Sequence, residues 1–282
     1  MPAATNHTKR AMNGFIEGCA RLAESHPYIW KVAWEAVHRI PALLPHDKSY
    51  YAFRHFIACK PSGLFLDVGA NDGISILSFR KFDRNYRILA LEPNPLLEPA
   101  LRKVKSKDPA LDYKMVGAGA APAQLQFFVP IYRGIPLHTF TSSAREQVEA
   151  AVAKSFGKSV LNAIEIKQFE CAVIRLDDLG LDPTIVKIDA EGFDYSVLLG
   201  LAETIARARP FVVTEIGSDE NTKSYFDKLG YVLLVYNIFD DYFDDDVHSY
   251  QSVVTATSGH RNVFAVPREL VDSLPSGPAK KK

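Results

Sequence analysis

Residues 64–73, Leu-Phe-Leu-Asp-Val-Gly-Ala-Asn-Asp-Gly, contain the pattern that decides the fold class. A short run of strand-forming residues is followed by a turn that begins at Gly69, and apolar residues at helical spacing follow Gly73. A strand, a glycine-containing turn and a helix in this order are typical of the first unit of a nucleotide-binding α/β domain. Because Gly69 lacks a Cβ, we expect a ligand to approach the backbone N–H groups of this turn.

The alternation of strand and helix continues along the chain. Such a pattern predicts an α/β fold with a mostly parallel sheet and helices on both faces. The predicted strands are residues 64–68, 87–91, 113–116, 125–131, 168–176, 184–188, 211–216, 231–236 and 262–266. Residues 125–156 interrupt the alternation with a hairpin and a helix near 145–156, and we interpret them as a middle insertion. A further helix is predicted over 197–205, and the acidic stretch 240–246 is predicted to be a solvated loop.

The composition of the chain excludes several functional classes. Its 33 Lys and Arg residues balance 33 Asp and Glu residues, whereas general nucleic-acid binders carry a basic excess. Hydrophobic residues make up 47% of the 282 residues, and no apolar run reaches the roughly 20 residues of a membrane-spanning helix. Three cysteines without a CxxC pair favour a reducing compartment, and the N-terminus lacks the apolar segment of a secretory signal. We therefore expect a cytoplasmic protein with no nucleic-acid partner and no transmembrane segment.

Residues 1–60 differ from the rest and are predicted to form a helical N-terminal extension. We expect this extension to pack on the following domain, residues 61–268, or on a second copy of the chain, which would give a homo-oligomer. An alternative is a lid or a membrane-surface helix, because both Trp30 and Trp34 lie on one apolar stripe. Residues 269–282, rich in Pro, Gly and Lys, are predicted to be a flexible tail.

Two acidic residues next to the first turn indicate what kind of cofactor would bind. Glu92 ends the second predicted strand, 19 residues after Gly73, where nucleotide-binding α/β folds place an acid that accepts hydrogen bonds from ribose hydroxyls. The Gly-x-x-x-Gly spacing departs from the fingerprint that fits a pyrophosphate, and Asp67 would repel phosphate. Asp67 is therefore expected to cap the turn and to favour a cationic cofactor such as S-adenosylmethionine over a nicotinamide dinucleotide.

Four sequence elements together carry a resemblance to a known family. They are Asp-Val-Gly-Ala-Asn-Asp-Gly at 67–73, Leu-Glu-Pro-Asn-Pro at 91–95, Arg-Leu-Asp-Asp-Leu at 175–179 and Ile-Val-Lys-Ile-Asp-Ala-Glu-Gly at 185–192. Across residues 64–267 the chain resembles the FkbM family of S-adenosylmethionine-dependent methyltransferases. The fourth element is specific, since methyltransferases at large do not share it.

The resemblance implies a class I methyltransferase fold, which is Rossmann-like with a seven-stranded, mostly parallel sheet. It also implies S-adenosylmethionine as the cofactor and transfer of a methyl group to a hydroxyl, commonly of a sugar in a glycan or a glycosylated metabolite. The acceptor would accordingly be a small molecule or a glycan. The predicted cofactor-binding residues are Asp67, Gly69, Ala70, Asn71, Gly73, Glu92, Pro93 and Ala118.

Three side chains are candidates for removing the proton of the acceptor hydroxyl. Asp189 follows a predicted strand at the edge of the sheet where α/β proteins bind ligands, and Glu191 is two residues on. If the backbone stays extended there, both carboxylates face the same way and their pKa values are split. His138 is the third candidate, because it lies in the predicted acceptor loop and imidazole has a near-neutral pKa.

The sequence leaves other roles open for these acids. Glu191 would equally suit the cap of the following helix, and Lys187 would neutralise a carboxylate inside the end of the sheet. A divalent metal is a further alternative, with Asp189, Glu191 and Glu215 as hard oxygen ligands, although the spacing alone does not support it. We expect a metal-free site.

The alternative to an enzyme is a protein that keeps the methyltransferase fold but has lost turnover. Such a chain would serve as a binding or scaffold protein. The retention of Glu92, Asp189 and Glu191 argues against that alternative, because these are the residues expected to serve the cofactor and the reaction.

Overall fold

The structure of the protein is a computed structural model that describes residues 45–215, 220–245 and 262–277. The helices predicted before residue 45 lie outside the described residues. The described residues form two compact units. One is Gln126–Glu170, and the other combines the described parts of Pro41–Leu125 and Cys171–Lys282. No helix in these ranges is long and apolar enough to span a membrane.

Twelve strands are present in the described parts of the chain. They are β1 Leu64–Val68, β2 Arg87–Leu91, β3 Leu111–Lys114, β4 Gly117–Ala118, β5 Ala123–Tyr132, β6 Ile135–Pro136, β7 Ile164–Ile174, β8 Ile185–Ile188, β9 Phe211–Glu215, β10 Tyr231–Asn237, β11 Tyr242–Asp244 and β12 Asn262–Pro267. The main sheet has the order β11-β10-β12-β9-β8-β1-β2-β3, and a second sheet has the order β4-β7-β5-β6.

The main sheet is mixed and, within the described residues, has eight strands rather than the expected seven. Strands β3, β2, β1, β8 and β9 are parallel, whereas β12 is antiparallel to both β9 and β10. The additional strand β11 arises because the chain turns back directly after β10. Asn237 Oδ1 accepts hydrogen bonds from the backbone N–H groups of Phe239 and Asp240, and Asp241 has a φ of +59°. Part of the acidic stretch 240–246 is thus a strand.

Seven α-helices are described. They are α1 Phe53–Cys59, α2 Ile74–Phe79, α3 Glu98–Lys105, α4 Arg145–Phe156, α5 Asp194–Gly200, α6 Ala202–Ala208 and α7 Glu220–Lys228. The helix predicted over 197–205 is two helices, because the chain breaks at Leu201. Asp177 starts the second of them, since its carboxylate accepts hydrogen bonds from the N–H groups of Glu203 and Thr204, at 3.1 and 2.8 Å.

The larger unit has an aromatic core that begins before the predicted domain boundary at residue 61. Phe56 of α1 stacks on Phe211 of β9 with ring centroids 4.2 Å apart, and Phe65 of β1 stacks on Phe79 of α2 at 4.3 Å. All four rings are fully buried, and burial of each stabilises the fold by about 2 kcal/mol. The predicted boundary therefore falls between elements of one packed core.

Residues 269–277 also pack on this unit instead of forming the start of a flexible tail. Leu274 is buried in the same core, and the Pro275 carbonyl accepts a hydrogen bond of 2.8 Å from the N–H of Phe243. The remaining residues of the predicted tail lie outside the described residues.

The smaller unit contains the predicted hairpin and helix of the insertion. Strand β5 pairs with β6 in an antiparallel hairpin whose turn residues, Arg133 and Gly134, have φ values of +48° and +83°. This is the left-handed geometry that two-residue hairpin turns require. Helix α4 has the bounds that the sequence predicts, and it buries Val148 and Val152.

Strand register in the larger unit brings the ends of three strands together. Asp67 on β1 lies opposite Ala90 on β2 and Lys187 on β8. The residues that follow β1, β2 and β8 therefore share the carboxyl edge of the sheet, where α/β proteins bind their ligands.

Candidate active site

The turn after β1 does not offer the N–H groups that its glycines predict. The N–H groups of Gly69 and Ala70 both donate to the Leu91 carbonyl at 3.0 Å, and that of Asn71 donates to Glu92 Oε2 at 2.9 Å. These donors are already bonded to the end of β2, because the turn wraps over the neighbouring strand. In the described structure these N–H groups therefore bond to the protein itself, and the binding of a ligand by this turn stays a prediction.

Gly69 is required for a different reason, which is the close packing of two strand ends. Its φ is +80°, and a Cβ at this position would lie 1.8 Å from the backbone oxygen of Asp189. Gly73 has a φ of +88° directly before α2, and a Cβ there would meet the Val104 side chain at 3.1 Å. Both glycines shape the edge of the sheet.

Glu92 is a buried carboxylate at the end of β2, followed by the half-buried Pro93. Its two oxygens accept hydrogen bonds of 2.9 Å from the N–H groups of Asn71 and Asn94, and only 6% of the residue is exposed. Burial raises the pKa of Glu92 to about 7, although these two hydrogen bonds and the charge of Lys187 act in the opposite direction. A carboxylate has about four acceptor positions, so Glu92 retains capacity for ligand hydroxyls.

A buried lysine links the ends of β1 and β8. Lys187 Nζ lies 3.3 Å from Asp67 Oδ1 and 3.3 Å from Asp189 Oδ2, and it donates a hydrogen bond of 3.1 Å to the Gly69 carbonyl. Ser75 Oγ donates to the second oxygen of Asp67 at 2.5 Å. Burial alone would lower the pKa of Lys187, but the two aspartates outweigh it and the pKa is raised. The prediction that Lys187 neutralises a carboxylate at the sheet end is confirmed.

The backbone after β8 is not extended, so the condition under which the two carboxylates were expected to face the same way is not met. Glu191 has a φ of +48° and Gly192 a φ of +94°, both left-handed. The Asp194 carboxylate holds this turn by accepting hydrogen bonds from the N–H groups of Ala190 and Gly192, at 3.3 and 3.2 Å. The side chain of Asp189 is 43% exposed at this edge.

The segment before α1 supplies polar residues that the sequence reasoning placed in the extension. Asn262, the first residue of β12, donates hydrogen bonds of 2.9 Å to Asp47 Oδ2 and to Ser49 Oγ. His46 Nδ1 lies 2.7 Å from the hydroxyl of Ser78 on α2. Burial lowers the pKa of His46. Local periodicity in the sequence could not indicate that this segment lies near the site, because the residues that it hydrogen-bonds are far away in sequence.

The other predicted site residues are placed as follows. Ala118 is half-buried on β4, where it pairs with Ile174, and Glu215 ends β9 opposite Asn262. His138 lies in the smaller unit, on the 3₁₀ turn His138–Phe140. In the part of the chain that is described, no group of three or more His, Cys, Asp or Glu side chains is placed to hold a metal ion.

The parallel strands and their acidic carboxyl edge define an α/β protein of the kind that binds ligands at this edge. The profile of the methyltransferase FkbM domain matches residues 67–240, more than half of the chain. The chain therefore belongs to the FkbM methyltransferase family, and the family implies a methyltransferase. A search of curated proteins found no matching relative.

Solved structures of methyltransferases are similar to the chain at low sequence identity. Methyltransferase FkbM from Methylobacillus flagellatus KT is 14% identical with a TM-score of 0.44, and the match covers 82% of this chain and 58% of that one. This chain thus spans less than two thirds of that protein. Precorrin-6y C5,15-methyltransferase from Geobacter metallireducens is 17% identical (TM-score 0.34, 72% and 76% covered). The C-terminal domain of the Rhodobacter capsulatus precorrin-6Y C5,15-methyltransferase is 13% identical (TM-score 0.34, 73% and 79% covered).

Proposed function

We propose that the protein is an S-adenosylmethionine-dependent O-methyltransferase that acts on a sugar hydroxyl of a glycan or glycosylated metabolite. The observation that carries the proposal is the carboxyl edge, where the half-exposed carboxylate of Asp189 faces Lys187 of the Asp67–Lys187 pair, and the buried Glu92 follows β2 on the other side of β1. The FkbM family supports methyl transfer. The sugar acceptor and a cytoplasmic location rest on the sequence interpretation.

The residues of the edge fit S-adenosylmethionine better than a dinucleotide. A pyrophosphate needs free N–H donors, yet the N–H groups of Gly69, Ala70 and Asn71 are bonded to the protein. Glu92 and Asp67 instead present acceptor oxygens, which suit ribose hydroxyls and a cationic group. A cofactor with hydroxyls and positive charge but no phosphate matches this set of side chains.

In this proposal the chain chiefly positions the reactants. S-adenosylmethionine, when bound, supplies a methyl group on a positively charged sulfur. Glu92 holds the ribose end, and Asp67 lies near the methionine end. Displacement at a methyl carbon is in-line, so alignment accounts for much of the expected rate.

Asp189 is the residue that we assign to remove the proton of the acceptor hydroxyl. Its Oδ2 faces Lys187, and we assign Oδ1 as the atom that takes the proton. Such a base typically contributes about 10²- to 10⁴-fold to the rate. Lys187 holds this carboxylate in place from the buried side. Glu191 and His138 remain secondary candidates, and a metal bound by Asp189, Glu191 and Glu215 remains the less favoured alternative.

The proposal is tested first by calorimetry with S-adenosylmethionine and with NAD. We expect binding of S-adenosylmethionine alone, and binding of NAD alone would refute the proposal. Turnover is then measured over a panel of glycans and glycosylated metabolites. Cofactor binding without turnover on any acceptor would favour the binding or scaffold alternative.

The role of Asp189 is tested with Asp189→Asn. We expect kcat to fall about 10²- to 10⁴-fold while cofactor affinity stays unchanged. The matched control is Asp182→Asn, which alters an exposed carboxylate just before β8, at the opposite end of that strand. Full activity of Asp189→Asn would show that another group takes the proton.

A further inference from the structure

Tyr50 is a buried residue whose hydroxyl lacks a hydrogen-bond partner in the described part of the chain. It lies in the 3₁₀ turn Lys48–Ala52 and is 2% exposed. Among the described residues, Tyr50 Oη makes no hydrogen bond. Buried hydroxyls are nearly always hydrogen-bonded, because an unsatisfied one costs free energy, so an orphaned hydroxyl suggests a missing partner.

A chain of aromatic contacts places Tyr50 beside the edge of the sheet. The Tyr50 ring packs edge-to-face on Phe53 with centroids 4.8 Å apart, and Phe53 packs on Phe65 of β1 at 5.6 Å. Phe65 and Asp67 are two residues apart on one strand, so their side chains lie on the same face of the sheet. Tyr50 also packs on His46, with ring centroids 4.8 Å apart.

The electrostatic surroundings of Tyr50 agree with this placement. Burial raises the pKa of the Tyr50 phenol well above its usual value, and the negative charges of Asp67, Asp47 and Asp189 raise it further.

A second unsatisfied oxygen lies in the same group of residues. Asp67 is fully buried, and its Oδ1 accepts no hydrogen bond from the described residues, although Lys187 Nζ is 3.3 Å away as an ion-pair partner. Two carboxylates, those of Asp67 and Asp189, therefore share Lys187 as an ion-pair partner. A group that enters here must donate hydrogen bonds, and positive charge favours it.

We propose that Tyr50 is a ligand-binding residue, whose Oη accepts a hydrogen bond from the α-ammonium group of S-adenosylmethionine beside Asp67 Oδ1. The inference rests on the proposed function and assigns a residue to the amino-acid end of the cofactor. An ammonium group has three donors, so it can bond to Tyr50 Oη and to Asp67 Oδ1 at once.

The test uses calorimetry with two probes, S-adenosylhomocysteine and its analogue in which hydrogen replaces the α-amino group. Tyr50→Phe keeps the ring but removes Oη. We expect this variant to bind S-adenosylhomocysteine at least about tenfold more weakly than the wild type, because hydrogen bonds to charged groups are strong. Both proteins should bind the deaminated analogue equally.

The control for the loss of a tyrosine hydroxyl is Tyr231→Phe. Tyr231 Oη donates a hydrogen bond of 3.0 Å to the Pro210 carbonyl, at the end of the sheet away from Asn262. This variant should bind both probes as the wild type does but unfold at a lower temperature. Tyr50→Phe should unfold no earlier than the wild type without ligand, because its hydroxyl is unsatisfied there.

The possible outcomes separate the two proposals. Unchanged affinity of Tyr50→Phe for S-adenosylhomocysteine, or equal weakening for both probes, would overturn the assignment of Tyr50. Failure of the wild type to bind S-adenosylhomocysteine would overturn the proposed function as well. If Tyr50→Phe does not fold, near-ultraviolet difference spectra of the wild type decide, and a tyrosine signal with S-adenosylhomocysteine but not with the deaminated analogue would support the contact. Its absence would refute it.

Discussion

Glu92 allows a quantitative prediction, because burial shifts the pKa of its carboxyl group from 4.5 to about 7. The difference means that the folded state favours the protonated carboxyl by about 3 kcal/mol. Between these pH values the folded protein holds a proton that the unfolded chain has released. Stability attributable to Glu92 is therefore present at low pH and is lost as the pH rises through 7.

The perturbation is Glu92→Gln, which removes the titration but keeps the size of the side chain. Subtracting the unfolding free energy of the wild type from that of the variant cancels the groups that both share. We expect this difference to shift by about 2.5 kcal/mol in favour of the variant between pH 5 and pH 8. The loss of one acceptor oxygen adds a constant that does not depend on pH.

The assay is urea unfolding of both proteins at half-unit steps from pH 5 to pH 8. Glu165→Gln, which removes an exposed carboxyl, is the matched control and should show no comparable trend. Under the proposed function, Glu92→Gln should also bind S-adenosylhomocysteine more weakly at pH 8, because the wild type would then present a carboxylate to the ribose. A difference that stays constant with pH to within about 0.5 kcal/mol would refute the reasoning on burial.

Two further predictions concern the packing of the strand ends. Lys187→Met should lower the unfolding free energy by about 3–5 kcal/mol, because Asp67 is left buried without a counter-charge. Urea unfolding should show part of the loss recovered when Asp67→Asn is added, and strictly additive losses would contradict the pairing. Gly69→Ala should cost about 3 kcal/mol or more, since its Cβ would overlap the Asp189 carbonyl, whereas Gly180→Ala meets nothing within 4 Å and should cost about 1–2 kcal/mol for its left-handed φ. Thermal unfolding that ranks these two variants equally would contradict the steric argument.

Much of the fold could be predicted because local patterns determine it. Strands β1 and β2 and helix α4 have the predicted bounds, since each is a continuous apolar run or an amphipathic stretch between clear breaks. Strand β11 could not be predicted, because it depends on a turn held by the Asn237 side chain and a left-handed Asp241. Turn geometry of this kind leaves little trace in hydrophobic periodicity.

The candidate site was predictable only where spacing alone places a residue. Glu92 lies at the end of β2 as its distance from Gly73 predicts. The hydrogen bonds of the Gly69 and Ala70 N–H groups within the protein could not be predicted, because their acceptor, the Leu91 carbonyl, belongs to a different strand. Tyr50 was missed because its neighbours come together only through tertiary packing.

The hydrogen bonds from Asn262 to Asp47 and Ser49 affect the order in which the parts of the site fold during synthesis. Asp47 and Asn262 are 215 positions apart, so they cannot meet until β12 has left the ribosome. The segment that carries Tyr50 can pack against β1 early, whereas its hydrogen bonds from Asn262 can form only later. We therefore expect a nascent chain arrested before β12 to have Glu92 in place at the edge but to lack the hydrogen bonds that hold the Tyr50 segment, so that ligand binding matures only after β12 has emerged.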